Sequence, residues 1–543
     1  MKTLRFNHGG IDPWQYITWG LAAIVIIPLA TLFSSFLTPE KEIWEHLATT
    51  LLGELFANTL ILVLGVACFT TLVGVSLGWF TGACDFPGRR FFSWSLALPM
   101  ALPAYVMAFI FLGLMDFTGP VQTLLRKIPG LENQIVEVRT APFVVIVIGL
   151  TLYPYVYLLS RASFMNQGRA ILEASRTLGM NPLQAFYKVA LPISRPWIVS
   201  GLALVLMETL ADFGAVSIFN YNTFTTAIYK SWYGFFSLGA AAQLSSLLVI
   251  FALALVTIEG LYRSQMKYYD NSRGGSVSTR LQLQGWRAGI VTIYCSFTLL
   301  IAFIIPLIQL IVWSFEVIQS GESITYSGYI FKTLLLGALA AILICCASIL
   351  LAYARRRNAS ARSRFLCRVA TIGYALPGTV LAVGIVIPIV WLDSLLQNIL
   401  LYTFSIESGS IIQGTVVVML GAYLVRFLAV GFGSVDSAMQ NIKPSIDEAA
   451  AILGKTGGEV LRKVHFPLLQ KGLLTALVLA LVDVIKEMPI TLMTRPFGWD
   501  TLAVKIYELT SEGEWVRASL PGLYLVIAGI IPVFILIRRM ENP

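Results

Sequence analysis

Two pairs of acidic residues stand out because each pair lies inside a long apolar stretch. Glu208 and Asp212 form the first pair, and Asp483 and Glu487 form the second, with Lys486 between them. An ionisable group in hydrocarbon costs about 2.5–3.5 kcal/mol and is often functional. Each pair is spaced i, i+4, which predicts that both carboxylates share one face of a helix. Carboxylate oxygens are natural ligands for hard cations such as ferric iron, and they also attract polyamines but repel sulfate, phosphate or molybdate.

Two interpretations of these acids stay open. In the first, the four carboxylates line one polar chamber and transiently hold a metal cation such as Fe3+. In the second, Lys486 neutralises one acid, the others stay protonated or hold helices together, and the passage attracts the cation only weakly. The three histidines and six cysteines show no metal-ligand spacing, so we predict no other metal site.

The sequence around these acids is that of a membrane protein. Hydrophobic residues make up 57% of the 543 residues, charged residues 12%, and the mean hydropathy is +0.78. A soluble domain carries roughly twice that charged fraction, so most of this chain is predicted to lie in lipid. We predict an all-α integral membrane protein with twelve spans. They lie near residues 14–37, 57–80, 92–114, 141–160, 196–217, 238–262, 288–314, 330–353, 365–392, 410–432, 472–493 and 518–537.

The basic residues predict the orientation of these spans. With the N-terminus in the cytoplasm, most of the 38 Lys and Arg residues fall on the cytoplasmic side, including Arg355, Arg356 and Arg357. The acidic loop that contains Glu40 and Glu42 then falls outside. Twelve spans return the C-terminus to the cytoplasm as well. The first apolar run is too long for a signal-peptide core, so we expect a retained helix there.

The chain contains an internal repeat. Residues 173–192, EASRTLGMNPLQAFYKVALP, match residues 448–467, EAAAILGKTGGEVLRKVHFP, at an offset of 275 residues (448 minus 173). The same offset relates the two acidic pairs. We therefore predict two parallel six-helix transmembrane domains, residues 1–262 and 287–543, joined by a cytoplasmic linker, residues 263–286. Parallel halves argue against the inverted repeats that many secondary transporters carry.

The two repeated segments, called here the first loop (173–192) and the second loop (448–467), have the pattern of two short helices with a turn between them. Gly179 and Gly454 are predicted to end the first helix of each loop in a left-handed conformation. Asn181 and Pro182 are predicted to start the next helix of the first loop. Capping boxes are predicted at Ser445 with Glu448 and at Thr456 with Glu459.

Both loops resemble the Glu-Ala-Ala loop of permease subunits in importers driven by ATP-binding-cassette (ABC) ATPases. That pattern has Glu-Ala, then Gly six residues after the Glu, then Pro thirteen after the Gly. The matching residues are Glu173, Ala174, Gly179, Pro192, Glu448, Ala449, Gly454 and Pro467. The resemblance implies the type I importer permease fold and a coupling role, because in that family the loop docks into a groove on a cytoplasmic ATP-hydrolysing subunit, here expected in two copies. The alternative is a pair of solvated interfacial helices.

A second resemblance concerns the substrate. Residues 208–233 and 483–508 are similar to the corresponding stretches of ferric-iron permeases, a family that is commonly a fused double permease with twelve helices. The resemblance implies a bacterial inner-membrane protein that receives Fe3+ from a periplasmic binding protein. Polyamine and thiamine permeases are related alternatives. A proton- or ion-driven secondary transporter, with the acids as proton carriers, is the alternative from a different class.

The chain is predicted to be a transport subunit without an enzyme activity of its own. Gly454, Lys455 and Thr456 imitate the end of a phosphate-binding loop, but Ala449 stands where that motif requires glycine. We find no nucleophile–base pair, and predict neither catalytic residues nor a permanently bound cofactor. ATP is therefore expected to be used by the partner subunit.

Overall fold

The computed structural model of this chain is almost entirely helical. It describes residues 13–37, 41–129, 137–166, 175, 177, 179–265, 280–321, 326–358 and 360–541. Up to residue 265 the α-helices are α1 (Pro13–Ser34), α2 (Lys41–His46), α3 (Leu52–Ala83), α4 (Arg89–Ser95), α5 (Ala104–Met115), α6 (Pro120–Arg126), α7 (Ala141–Asn166), α8 (Pro182–Ala185), α9 (Leu191–Ala211), α10 (Gly214–Ile218), α11 (Phe224–Tyr233) and α12 (Leu238–Gln265). From residue 280 they are α13 (Trp286–Leu299), α14 (Ile305–Gln319), α15 (Ser327–Arg357), α16 (Ala361–Thr371), α17 (Gly378–Phe404), α18 (Val416–Gln440), α19 (Pro444–Ile452), α20 (Gly457–Val460), α21 (Phe466–Leu468), α22 (Gln470–Lys486), α23 (Pro489–Thr494), α24 (Leu502–Ser511) and α25 (Trp515–Glu541).

The remaining regular elements are short. Two-residue strands β1 (Cys84–Asp85) and β2 (Leu281–Gln282) pair in parallel. Single 3-10 turns lie at Ser35–Leu37, Leu98–Ala101 and Ile372–Ala375, and π-helical turns lie at Leu47–Leu51, Phe186–Ala190, Leu300–Ile304 and Leu461–His465.

The apolar helices account for all twelve predicted spans. Among the described residues, ten helices are long and apolar enough to cross a membrane, and an eleventh span is the pair Gly457–Leu468 and Gln470–Lys486, which is bent by 78°. A shorter apolar helical stretch, Trp515–Ile531, coincides with the twelfth predicted span. The prediction of an all-helical membrane protein built from two six-helix repeats is confirmed.

The internal repeat is visible in the secondary structure itself. Helices α7 and α18 begin at Ala141 and Val416, which differ by the predicted offset. The π-helical turns Phe186–Ala190 and Leu461–His465 differ by the same number. The two halves of the sequence therefore fold by the same local rules. The boundary that we place at residues 263–286 stays a prediction, because residues 266–279 lie outside the described part of the chain.

The chain forms two compact units whose members are not contiguous in sequence. Unit 1 consists of residues 1–40, 231–246 and 326–504, and unit 2 consists of residues 41–230, 247–325 and 505–543. Each unit is built mainly from one sequence half. The first apolar helices of each half, α1 and α13–α14, belong to the unit that the other half dominates.

In unit 2, α3 and α7 pack along each other and α9 packs against both. Glycines allow the close approach: a Cβ atom on Gly74 would lie 3.0 Å from the Tyr153 carbonyl oxygen, and one on Gly201 would lie 2.9 Å from the Val156 Cα. Small residues at such contacts are typical of helices packed in lipid, where van der Waals contact has to replace the hydrophobic effect. This packing fixes the helix α9 that ends at the first acidic pair.

In unit 1, α15, α18 and α22 pack against one another. Gly431 of α18 lies close to α15, because a Cβ atom there would approach Ser348 Oγ to 2.5 Å. Helix α1 packs against α16 and α17, and its Thr31 hydroxyl donates to the Gly384 carbonyl oxygen at 3.1 Å. Helix α22 ends at the second acidic pair. It packs against α15 and α18 as its counterpart α9 packs against α3 and α7.

Candidate coupling loops and substrate pathway

The first loop has the predicted turn. Gly179 has a φ of +72°, and the Met180 amide donates to the Ser175 carbonyl oxygen at 3.0 Å. The Gln184 amide donates to Asn181 Oδ1 at 2.8 Å, and the Asn181 amide donates to Gln184 Oε1 at 3.1 Å. These two bonds form a capping box around the start of α8, so the predicted N-cap at Asn181 is confirmed. Pro192 lies in the first turn of α9. Glu173 and Ala174 lie outside the described residues.

The second loop repeats this turn. Gly454 has a φ of +70° just after α19, and the Lys455 amide donates to the Ala450 carbonyl oxygen at 3.0 Å. Glu448 and Ala449 lie on α19 and are exposed. Pro467 lies in the first turn of α21. The exposed pair therefore stands on a surface that another protein can reach.

The two capping boxes predicted in the second loop are wrong in detail. Helix α19 begins at Pro444, so Ser445 lies inside the helix, where its side chain no longer precedes the free amides. Thr456 has the backbone conformation of an N-cap, but its side chain makes no capping bond. Glu459 instead accepts from Lys463 at 2.9 Å and from Lys455 at 3.4 Å, because lysines on either side compete for its carboxylate.

A partly buried polar network joins the second loop to the membrane helices of unit 1. Asp447 on α19 lies 2.6 Å from Nε2 of His465, and its other oxygen accepts from Nε of Arg356 at 2.7 Å. Arg356 also donates to the Met439 carbonyl oxygen at 2.7 Å. His465 is 1% exposed, whereas the Asp447 side chain is 35% exposed, so this bond is buried on the histidine side only. The last turn of α15 is therefore joined to both helical parts of the loop.

Aromatic residues extend this attachment to α1. The Tyr353 hydroxyl donates to the Gly457 carbonyl oxygen at 2.7 Å, where α20 begins. The Tyr353 ring makes edge contacts with Trp14 of α1, at 4.7 Å between centroids, and with His465, at 5.3 Å. The sequence analysis did not identify these residues. The repeat contained a partial signal, since Asp447, one residue before the second loop, and His465 within it correspond to Leu172 and Ala190 in the first repeat.

The second acid of each pair lies one residue beyond its helix. Helix α9 ends at Ala211, and Asp212 has an extended ψ of 125°. The Asp212 carboxylate accepts from the Val216 amide at 3.1 Å, which caps the short helix α10. The Thr225 hydroxyl donates to the Asp212 carbonyl oxygen at 2.7 Å. The expected helix that continues through both Glu208 and Asp212 is therefore wrong, because α9 ends at Ala211 and the chain turns into α10 after Asp212.

Glu487 repeats this geometry in unit 1. Helix α22 ends at Lys486, and Glu487 has a ψ of 118°. Its carboxylate accepts from the Ile490 amide at 3.1 Å and so caps α23, while the Thr491 hydroxyl donates to its carbonyl oxygen at 2.8 Å. Two equivalent acids thus hold equivalent bends. Such a capped bend keeps a carboxylate at membrane depth at a lower cost, because backbone amides share its charge.

The two acids differ in their electrostatic partners. Glu487 Oε2 lies 3.4 Å from Nε of Arg426. The Nη1 atom of the same arginine donates to the Leu376 carbonyl oxygen at 3.1 Å. Thr151 occupies the position that corresponds to Arg426 in the first repeat. Within the described part of the chain no basic side chain pairs with Asp212. Asp212 instead borders a small cavity, lined by Thr59, Leu62, Thr209, Leu210, Thr223, Phe224, Thr225 and Leu248.

The first acids of the pairs lie in the last turns of their helices. Glu208 on α9 and Asp483 on α22 are both half-buried, as is Lys486. Within each unit, the described residues include no group of three or more His, Cys, Asp or Glu side chains that could hold a metal ion. Direct ligation of Fe3+ by Glu208, Asp212, Asp483 and Glu487 stays a prediction.

Comparison with known proteins identifies the family. The family model described as "binding-protein-dependent transport system inner membrane component" matches this chain twice, over residues 74–263 and 344–541. The chain belongs to this family of ABC importer permeases. Two matches in one chain confirm that the permease is a double one. It is a multi-pass subunit of the inner membrane and a transport protein rather than an enzyme.

One relative covers nearly the whole length of the permease, and others cover a smaller part of it. It is 25% identical to the Fe(3+)-transport system permease protein FbpB 2 of Haemophilus influenzae, over 89% of this chain and 90% of that one. It is 23% identical to the ferric transport system permease protein FbpB of Actinobacillus pleuropneumoniae, over 66% of this chain and 52% of that one. A shorter match, 27% identical, is the sulfate transport system permease protein CysT of Escherichia coli, over 36% and 68% respectively.

Proposed function

We propose that this permease imports ferric iron that a periplasmic binding protein delivers, and that two copies of a separate cytoplasmic subunit hydrolyse the ATP. The assignment of ferric iron as the substrate rests on the resemblance, over nearly the full chain, to a permease named for Fe(3+) transport. Sulfate permeases match only about a third of the chain. A cation also suits the acids better than an anion does, since carboxylates repel oxyanions.

The coupling role belongs to the two loops. Their matching residues are Glu173, Ala174, Gly179, Pro192, Glu448, Ala449, Gly454 and Pro467. Support comes from the second loop, in which the exposed Glu448 and Ala449 lie on a helix that a partly buried polar network attaches to α15. A subunit that pulls on this helix pulls on α15 as well. The proposal requires both termini to lie in the cytoplasm, with residues 263–286 linking two six-helix domains on that side.

The acids of the substrate pathway have unequal roles in this proposal. Asp212 attracts the cation most strongly, because its neighbours are backbone amides and threonine hydroxyls rather than a basic side chain. Glu487 contributes less, because Arg426 offsets its charge. Glu208 and Asp483 extend the acidic character by one helical turn. The cation therefore passes a weakly attractive acidic surface and needs no tight site, which would slow its release.

Polyamines and thiamine are the alternative substrates, since both are cations and the acidic pairs would attract them too. A secondary transporter is disfavoured by the family to which the chain belongs. Cysteine and histidine side chains do not distinguish among the cations, because the described residues include no group of three or more His, Cys, Asp or Glu side chains that could hold a metal ion.

The experiment is uptake of radiolabelled ferric iron into proteoliposomes that contain the permease with its ATPase subunit and the iron-loaded binding protein. We compare the native chain with Asp212→Asn, Glu208→Gln and Asp483→Asn, and use Glu512→Gln, an exposed acid, as the control. Asparagine keeps the capping oxygen, so the Asp212→Asn chain is expected to fold. Its initial rate should fall about tenfold or more, since an acidic cleft raises local cation concentration and entry rates by roughly 10–1000-fold.

The control should transport at the native rate. If the native permease takes up no iron while ATP hydrolysis responds to a loaded polyamine- or thiamine-binding protein, the iron assignment is wrong and the importer assignment remains. If uptake needs no ATPase subunit at all, the importer mechanism itself is wrong.

A further inference from the structure

Four arginines gather at the cytoplasmic end of α3 and α7 in unit 2. Arg89 and Arg90 begin α4, Arg161 lies in the last turns of α7, and Arg280 precedes strand β2. Asp85 on β1 accepts from Nε of Arg89 at 3.2 Å. Pairing of β1 with β2, and the Leu283 amide donating to the Asp85 carbonyl oxygen at 3.0 Å, bring Arg280 to the same place. One acid thus stands among four bases, and we call this group the arginine cluster.

Arg161 is the member that most needs an explanation. It is 6% exposed, and its Nε atom is buried and has no hydrogen-bond partner among the residues that the structure describes. It lies against α3, since a Cβ atom on Gly82 would come within 3.6 Å of Arg161 Cγ. A guanidinium buried without a counter-charge is costly, so a compensating anion is expected nearby. The Nε atom of Arg280 is also buried, and no described residue forms a hydrogen bond with it.

The mutual influence of these side chains supports the grouping. Arg280 has a lowered pKa, first because of burial and then because of the charges of Arg89, Arg161 and Arg90. Asp85 acts in the opposite direction but does not cancel them. The cluster therefore carries a surplus of positive charge in the described part of the molecule.

The second repeat treats the same position differently. Asp436 of α18 corresponds to Arg161 at the repeat offset, and it accepts from Nη1 of Arg355 at 2.7 Å. In that repeat the residue at this position therefore forms an ion pair between α15 and α18. The first repeat has Arg161 at this position, and no described residue forms a hydrogen bond with its Nε atom. The difference is specific to one half, so it does not follow from the shared fold.

The surroundings of the cluster resemble a membrane interface. Phe91 and Trp94 on α4 and Trp286 at the start of α13 are exposed large aromatic side chains. Helix α13 packs beside this region, with the Thr292 hydroxyl donating to the Pro87 carbonyl oxygen at 3.3 Å. Aromatic side chains of this kind favour the headgroup level of a bilayer. Basic pockets between helices on the cytoplasmic side are suited to acidic lipid headgroups.

We propose that the arginine cluster of Arg89, Arg90, Arg161 and Arg280 binds the phosphate of an anionic phospholipid from the cytoplasmic leaflet. The guanidinium groups of Arg161 and Arg280 donate to the phosphate oxygens, and the exposed aromatics pack beside the glycerol and upper acyl chains. The lipid then fills the place that the Asp436–Arg355 pair fills in the other repeat, and it attaches the linker strand β2 to α3 and α7.

The test uses the purified full-length permease in nanodiscs of phosphatidylcholine with or without phosphatidylglycerol. Native mass spectrometry after release counts the retained phosphatidylglycerol, and thermal unfolding reports its effect on stability. The variants are Arg161→Gln, Arg280→Gln and Arg161→Lys, and the control is Arg362→Gln, an exposed arginine of α16 in unit 1. Each neutralised cluster arginine should weaken phosphatidylglycerol binding about fivefold, the factor expected for one basic residue at an anionic surface. Arg161→Lys and the control should bind nearly as the native chain does.

Inorganic phosphate added to delipidated protein in detergent separates the two sources of the anion. Stabilisation of the native chain by phosphatidylglycerol that phosphate does not reproduce supports the lipid. Equal stabilisation by phosphate alone would assign the cluster to a free anion and overturn the proposal. Unchanged lipid retention in Arg161→Gln and Arg280→Gln would overturn it too, and weakened binding of the ATPase subunit in those variants would show that the cluster is a protein contact.

Discussion

The side chains of Asp447 and His465 lie 2.6 Å apart, and this hydrogen bond joins both helical parts of the second loop. The other oxygen of Asp447 lies 2.7 Å from Nε of Arg356 at the end of α15. One carboxylate thus bonds both to the second helical part of the loop and to a membrane helix, beside the bond from Tyr353 to Gly457. Charge-assisted bonds of this length are short and directional, so a movement of the loop moves α15 with it.

Replacing Asp447 should uncouple ATP hydrolysis from transport. Asp447→Asn keeps the shape but removes the charge that Arg356 and His465 share, so the loop can move without α15. We expect transport per ATP hydrolysed to fall roughly tenfold, within the 5–150-fold range typical of coupling between sites. The measurement is iron uptake and ATP hydrolysis in the same proteoliposomes.

The matched control for this substitution lies in the same loop. Glu459→Gln also removes a carboxylate, but that side chain bonds only to lysines at the exposed surface. Exposed pairs contribute about 0–1 kcal/mol, so Glu459→Gln should leave the ratio nearly unchanged. An equal loss in both variants would mean that the charge of the loop matters, and not its attachment to α15.

The acids at the two bends should respond differently to neutralisation. Asp212→Asn removes a charge that no described basic side chain pairs with, so it should lower uptake while leaving stability nearly native. Glu487→Gln leaves Arg426 without its ionised partner at a site where both residues are 7% exposed. Breaking a buried pair in this way costs about 3–5 kcal/mol. Thermal unfolding of the two purified variants, in the same detergent, compares them directly.

Removing both members of that pair should restore part of the stability. In the double variant Glu487→Gln and Arg426→Met no buried charge is left alone, so its loss should be smaller than that of Glu487→Gln by about 1–3 kcal/mol. Chemical unfolding of both single variants, the double variant and the native chain completes the cycle. Additive losses would show that Arg426 and Glu487 act independently.

Structural features that depend on residues close together in the sequence were predictable. Features that depend on packing between distant parts of the chain were not. Hydropathy and the repeat offset located twelve spans and both loops, because each depends on residues close together in the chain. The glycines at 179 and 454 followed from the turn itself. The ends of α9 and α22 could not be predicted in this way. Each helix ends where its acid accepts a hydrogen bond from a backbone amide of the next short helix. The i, i+4 spacing could not reveal the short helices α10 and α23.

The attachment of the second loop depended on contacts distant in sequence. Arg356 and Asp447 are separated by 91 residues, and Trp14 reaches Tyr353 only because α1 belongs to the unit built mainly from the other half. A periodicity or spacing argument cannot pair such residues. The Asp447 and His465 positions were visible as differences between the two repeats, but only the folded structure shows that the two side chains bond to each other.

Close helix packing in unit 2 makes Gly201 intolerant of even one added methyl group. A Cβ atom at Gly201 would meet backbone atoms of α7, at 2.9 Å from Val156 Cα and 3.1 Å from the Tyr155 carbonyl oxygen. Backbone cannot move aside as a side chain can, so Gly201→Ala should destabilise the permease by about 1–3 kcal/mol. Gly260→Ala is the matched control, because no atom lies within 4 Å of its added Cβ and alanine favours a helix by up to about 1 kcal/mol. In one detergent, the unfolding midpoint should fall for Gly201→Ala and rise for Gly260→Ala. A loss of stability in both variants would show that the close approach of α9 to α7 is not the reason for glycine at position 201.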